Sequence, residues 1–442
     1  MKALPLLAAI IITATLLTYC TKKDQVVTSA VVNTNELTSY KTTVAPTIDG
    51  QIDDVWNKAT KLDISPEVPD PGNGLFTGYI GEQYPATIRS MYDNDNIYFL
   101  VEWADATKNN FVSPWYFDPS TKRWAQEPSS RTFNSSGVLS RAGWGEDKLA
   151  MLWNINYSTP KFLTQTCYAS CHVFSPYMDY SKNPAVYTSN AASGNHYTNG
   201  PDEKIDMWWG RLGYMSQDAS LHFMDDNYQD WAGGPSITNL TGGNANGRHV
   251  DDIYPDGTTS ATWPNRPNYT VSPVQGEITN RVTLKLNGTG ASVNVPLWVI
   301  PGSSGKAFIM ATDTLSSGTA RKVVGVDSTG VLTLNDGSTI DPTTTTDYNR
   351  PNTDPNGATA LKAIPGIVAA PLIGGRSDIK GVAVYTGTGW IVEYSRKLKT
   401  ADVLKQDIDF SSLNDQQFGV AIWNGSNYQH GINPNLVLTF QK

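Results

Sequence analysis

Short runs of β-branched and aromatic residues, broken by Asn, Asp and Gly, recur along this 442-residue chain, and almost no stretch carries the period of a long amphipathic helix. Residues 86–90 and 96–103 read as two strands, with Asp93-Asn94-Asp95-Asn96 as the turn of a hairpin. Residues 148–155 form another apolar run of strand length. Residues 381–385 and 390–394 make a second hairpin, and 417–425 and 436–440 close the pattern. Near the front, Asp49-Gly50 is a turn dipeptide, and Trp56 shortly after it reads as a plug for a core. The fold expected is all-β, an antiparallel β-sandwich with long loops, spanning about 45–440. From about 236 to 350 the composition shifts to Gly, Thr, Asn, Pro and Ser, yet 281–286 and 291–300 still alternate like strands. That stretch reads as a β-rich insertion, since it can bury enough apolar surface to fold.

The N-terminus has a different character. Lys2 precedes an apolar run over 4–17, interrupted only by Pro5, Thr13 and Thr15. It is too short to span a bilayer and has the layout of an export signal. Its end, Leu17-Thr18-Tyr19-Cys20, resembles a bacterial lipoprotein cleavage site, with Cys20 as the lipid-bearing residue. Tyr19 departs from the small residue usual before that cysteine, and a plain secretory signal is the alternative. Residues 1–20 are thus read as a lipoprotein-type signal and 21–44 as a polar tether. The expected location is the periplasm or cell surface, with lipid anchoring to the outer membrane. Low charge and abundant Gly, Thr, Asn, Trp and Tyr suit an exported β protein. A net charge of −8 without a Lys/Arg cluster argues against nucleic acid as a partner.

The other two of the three cysteines lie in Cys167-Tyr168-Ala169-Ser170-Cys171-His172. Two cysteines, the second followed directly by histidine, are what covalent haem attachment requires. The thiols add across the porphyrin vinyl groups and the adjacent imidazole ligates the iron. The spacer here has three residues instead of the usual two. A small disulfide loop is the alternative in an exported protein, but it gives His172 no task. Zinc would want further close ligands, and His196 is the single nearby candidate. The expected cofactor is one covalent haem c, with His172 as proximal ligand.

The ordered set of segments resembles the haem-binding domain family related to the γ subunit of ethylbenzene dehydrogenase. The resemblance is carried by Ile48-Asp49-Gly50 to Trp56, Met91-Tyr92-Asp93 to Asp105, and Glu146-Asp147-Lys148 to Asn154. It continues through Asp206-Met207-Trp208-Trp209 with Arg211, Trp390 to Leu398, and Gly419 to Gly425, in family order over most of residues 45–440. The resemblance implies a β-sandwich holding one haem, in some members as partner of a molybdenum enzyme of the dimethyl-sulfoxide-reductase type. The γ subunits bind haem b non-covalently through methionine and lysine; that remains the alternative cofactor state. This chain resembles instead the relatives with an added Cys-Cys-His attachment.

The family's lysine follows the Trp-x-Gly strand near the C-terminus. After Trp423-Asn424-Gly425 this chain offers His430 and no lysine before Lys442. His430 is therefore the expected second iron ligand, opposite His172. Trp208 and Trp209 are expected near the porphyrin face, and Arg211 at a propionate or in a structural ion pair. Met178, Met207 and Met215 are weaker ligand candidates, and His196, His222 and His249 are read as non-ligands. Asp225-Asp226 lacks the further acidic residues of a calcium loop.

Three functional classes follow. The first is an exported mono-haem c-type cytochrome carrying electrons to or from a redox partner protein, attached to the membrane through its lipid alone. A carbohydrate-binding sandwich without haem is the second, and it leaves Cys167, Cys171 and His172 unexplained. A haem enzyme or sensor, with an open iron position, is the third. No nucleophile elbow, nucleotide-phosphate loop or paired acid–base set is legible, so an electron carrier is expected in preference to a catalyst.

Overall fold

The computed structural model describes residues 35–70, 76–160, 162–165, 176–179, 186–189, 198, 202–230, 248–250, 277–302, 306–349, 363–372, 374–402 and 405–442. Cys20, the expected signal, Cys167, Cys171, His172 and His196 lie outside the described residues, as do the side chains of Met178 and His249. Residues 34–442 form one unit.

Twelve strands carry the sandwich. They are β1 (Glu36–Lys41), β2 (Leu62–Ile64), β3 (Ala86–Tyr92), β4 (Asn96–Ala104), β5 (Lys148–Asn154) and β6 (Ile205–Arg211). Then come β7 (Phe223–Gln229), β8 (Arg248–Val250), β9 (Ile379–Tyr385), β10 (Gly389–Lys397), β11 (Gln416–Trp423) and β12 (Gly431–Phe440). Their order is β1-β12-β11-β5-β6-β7-β9-β10-β4-β3-β2, with β8 on β7 and β1 also reaching β3. Two strands serve both layers. β1 pairs with β12 through Glu36–Ser39 and with β3 through Tyr40 and Lys41. β7 pairs with β6 along most of its length and with β9 through Phe223 and Met224. The sandwich is thus closed along both edges, which removes the exposed strand edges of an open sheet. The pairings of β1 are parallel; the remaining pairs of the circuit are antiparallel.

The expected hairpins form. β3 and β4 pair from Ala86↔Trp103 to Tyr92↔Ile97, and β9 and β10 from Lys380↔Ser395 to Tyr385↔Trp390. Alternation along each strand sends one set of side chains between the layers. There Trp153 stacks on Phe418 with ring centroids 4.8 Å apart, and Phe99 stacks on Tyr394 at 5.2 Å. Trp56 is fully buried and donates its indole N–H to Glu393 Oε1 at 2.8 Å. Glu393 Oε2 accepts the amide of Gly50 at 2.8 Å, so one carboxylate ties the front turn to β10. Gly50 has φ +80°, and a Cβ there would sit 2.3 Å from Val384 Cγ2; only glycine suits this position.

Two boundaries differ from the sequence reading. β1 falls within the stretch expected as tether, so the fold begins before residue 45. The β-rich insertion is also not built from 236–350 alone. Its four-stranded sheet, from Trp298–Val299, Arg321–Val326, Leu332–Leu334 and Thr339–Ile340, shares a core with the ribbon Trp115–Asp118/Arg123–Gln126. Among the described residues no helix is long and apolar enough to cross a membrane.

A charged group lies inside the sandwich. Arg396 on β10 reaches Asp206 Oδ2 on β6 at 2.8 Å and Asp226 Oδ2 on β7 at 3.6 Å, and all three side chains are fully buried. The guanidinium also donates to the Ile408 carbonyl and lies 4.9 Å from the Trp208 ring centroid. Asp206, Asp226 and Asp407 bring their oxygens within 4.8 Å of one another. Burial first, then the charge of Asp407, pushes Asp206 up to about 6 against the pull of Arg396.

Candidate functional site

The outer face of the β11-β5-β6 layer carries a second apolar surface, facing away from the core. Register sets its rows. Trp423, Lys148 and Arg211 lie side by side across the three strands. Next come Ala421, Ala150 and Trp209, then Gly419, Leu152 and Met207. Ala150, Met207 and Trp209 pack together with Leu152, Ala421 and Trp423 as a cluster of their own. Small residues occupy the middle of this face, while Trp423 stands at one side and Trp209 with Met207 at the other. Ala150, Met207 and Trp209 are buried, so this face is an apolar interior surface of the kind that lines ligand sites.

His430 borders this face. It lies on the connection between β11 and β12, and its imidazole stacks on Trp423 with centroids 4.3 Å apart and planes at 27°. Phe76 meets the ring edge-on at 5.9 Å. His430 Nδ1 is 2.6 Å from the Tyr428 carbonyl oxygen. A carbonyl oxygen accepts and does not donate, so the proton sits on Nδ1 and the neutral ring keeps its lone pair on Nε2. Burial pushes His430 down to about 4, with the Lys148 charge acting in the same direction and the Tyr428 bond opposing them. The ring is neutral at pH 7. An imidazole with one nitrogen tied to a backbone carbonyl and the other bearing a lone pair is in the form that binds iron.

The connection holding His430 is anchored by the tripeptide that opens β5. Asp147 is fully buried and accepts four donors: the amide of Gly425 at 2.9 Å, the amide of Asn109 at 2.9 Å, the Asn109 side chain at 3.3 Å and the Trp390 indole at 3.0 Å. Lys148 Nζ donates to the Ser426 carbonyl at 2.8 Å. Ser426 Oγ donates to the Gln429 carbonyl, one residue before His430. Gly145 allows the close backbone approach; a Cβ there would lie 2.3 Å from the Ser426 carbonyl carbon. Glu146, the first of the three, pairs with Arg211.

The expected site residues are therefore divided. Trp209 stands on the outer face, but Trp208, expected beside it near a porphyrin, points the opposite way. It is packed in the core against Trp153 at 5.0 Å and Phe99 at 5.8 Å. Neighbours on a strand face opposite sides, and this one separates the pair. Arg211 is buried, ion-paired with Glu146, and stacked over Tyr214 at 4.4 Å. Met207 is on the face with Trp209, whereas Met215 is in the core. Asp225 and Asp226 also part: Asp225 forms a two-pronged pair with Arg376 at 2.7 and 2.6 Å, and Asp226 joins the interior charge group.

The sequence alone does not single out Trp423, Asp147 and Lys148 as site residues. The signal available was the charged triplet Glu146-Asp147-Lys148 set directly against a strand whose every other residue faces a core.

The ethylbenzene dehydrogenase family profile matches residues 53–433. The chain belongs to the ethylbenzene dehydrogenase family. No curated protein matches it. Among solved structures it is similar to a carbohydrate binding module of family 9 from Caldicellulosiruptor kristjanssonii in complex with glucose. There the identity is 8%, the TM-score 0.26 and the coverage 92% of this chain and 95% of that one. The same kind of module in complex with cellotriose is 14% identical, with a TM-score of 0.15 over 44% of this chain and 75% of that one. Likeness at these scores carries no argument about ligands.

Proposed function

We propose that this protein is an exported mono-haem c-type cytochrome that carries electrons to or from a partner oxidoreductase, of the molybdenum type in keeping with its family. The observation that carries the reading is His430: an imidazole held through Nδ1 by the Tyr428 carbonyl and stacked on Trp423 at the border of an apolar face. The residues fit a haem. Ala150, Ala421, Gly419, Leu152, Trp209 and Met207 would give a haem apolar surroundings, and His430 would supply a ligand to its iron. His172 is the second ligand proposed, with Cys167 and Cys171 as the thioether attachment. When bound, haem supplies a one-electron redox centre.

Two protein ligands on the iron would suit electron transfer better than substrate chemistry, because no position would be left for a substrate. The apolar face would keep water from a bound haem, and the Tyr428 carbonyl holds the imidazole orientation. Cys20 is the proposed lipid anchor that would keep the carrier at a membrane surface.

His430→Ala tests the reading. In the haem-loaded protein it is expected to convert a low-spin ferric spectrum to high-spin, and to let carbon monoxide bind the reduced form. An unchanged low-spin spectrum would remove His430 from the iron and with it the role proposed for this face.

A further inference from the structure

The geometry points to Lys148 as the positioning residue for the iron ligand His430, an inference that rests on the haem reading above. Lys148 is 2% exposed, although a lysine alone at a sheet surface would extend into water. It stands on β5 between Trp423 of β11 and Arg211 of β6, so strands on both sides fix its backbone.

Its ammonium meets both supports of the histidine. Nζ donates to the Ser426 carbonyl at 2.8 Å and to the Glu146 carbonyl at 3.4 Å. The first bond holds the segment in which Ser426 Oγ grips the Gln429 carbonyl, and His430 follows directly. The same ammonium lies 5.9 Å from the centroid of the Trp423 ring, on which the imidazole stacks. One buried cation thus links the stacking platform to the backbone that carries the ligand. A charge-assisted bond of this kind is stronger than a neutral one. Lys148 does not touch the iron in this scheme; it sets where the imidazole sits.

The test compares Lys148→Met, which keeps the length and apolar stem, with Lys148→Gln, which keeps a donor, in the haem-loaded full chain beside His430→Ala. Titration with free imidazole, followed by the ferric spectrum, is the readout, because a merely structural role for Lys148 would not open an iron position. Wild type is expected to be low-spin and indifferent to imidazole. Lys148→Met is expected to weaken His430 on the iron by about tenfold or more, showing high-spin character that added imidazole restores to low-spin, with Lys148→Gln in between. Hydrogen exchange of the 424–430 amides in the same variants, without haem, is expected to quicken in the same order. If His430→Ala opens the iron to imidazole while both Lys148 variants keep the wild-type spectrum and exchange, the positioning role is overturned and the haem reading stands. If His430→Ala also leaves the spectrum unchanged, both fall together.

Discussion

Replacing Arg396 with alanine is expected to destabilise the protein by about 3–5 kcal/mol, the scale on which removing one partner of a buried ion pair acts. The guanidinium is the cation bonded to Asp206 inside the sandwich, and it also faces Asp226, donates to the Ile408 carbonyl and covers Trp208. Without it, carboxylates that are fully buried are left facing one another, and their cheapest response is to take up protons. Urea unfolding of the variant should therefore show a loss that is larger at pH 8 than at pH 5. The wild type carries a trace of the same effect. Asp206 binds its proton up to about 6 in the folded chain, against an ordinary 3.8, and Asp378, raised chiefly by burial and then by Asp407, also reaches about 6. Between those values the folded state holds protons that the unfolded state has released. The contribution of these groups to stability is therefore highest on the acid side and falls as pH rises through the window from 3.8 to about 6. Asp206→Asn should flatten that slope, and a slope unchanged in the variant would assign it to other groups.

Asp147→Ala is the second large effect expected, again about 3–5 kcal/mol, because several buried donors lose their acceptor and each costs about 1–3 kcal/mol unsatisfied. The amides of Gly425 and Asn109 and the Trp390 indole have no water to turn to at this depth. The damage is directional. Gly425 lies on the connection to His430, so loosening should reach the proposed iron ligand as well as the fold. Thermal unfolding and the ferric spectrum measured on one preparation separate the two consequences. Asp147→Asn keeps one carbonyl acceptor and should fall between wild type and alanine. A variant that loses stability with a fully low-spin haem would show that the carboxylate holds the sandwich without holding the ligand.

The sandwich was legible where local pattern and pairing coincide. The 86–104 hairpin is short, alternates, and has its turn spelled out by Asp93 and its neighbours; Asp93 Oδ1 accepts the amides of Asp95 and Asn96 at 2.8 Å, and its Oδ2 the Tyr98 hydroxyl at 2.6 Å. Trp56 was legible as a plug because a tryptophan after an Asp-Gly turn has few other uses. β1 was not. Glu-Leu-Thr-Ser-Tyr-Lys has two large apolar residues, and it becomes a strand by pairing with β12 at the far end of the chain, which no local pattern announces. The ribbon 115–126 was missed for the same reason, since its Trp115, Phe117 and Trp124 complete a core whose other members lie more than 150 residues away.

At the site, His430 was found through the place it occupies after the Trp-x-Gly strand. Its platform Trp423 and its supports Asp147 and Lys148 needed the fold, because the bonds from Lys148 to Ser426 and from Gly425 to Asp147 each join residues 278 apart. The tryptophan pair illustrates the opposite limit. Trp208 and Trp209 were read together because they are adjacent, and a strand sends adjacent residues to opposite faces. Only Trp209 remains with Met207 on the outer face.

Acid–acetone extraction followed by a pyridine haemochrome spectrum, on protein produced with a haem-attachment system, tests the central claim most directly. A c-type spectrum that stays with the protein is the result predicted, with Cys167 and Cys171 as the thioether residues. Haem that passes into the solvent, or no haem at all, would contradict it.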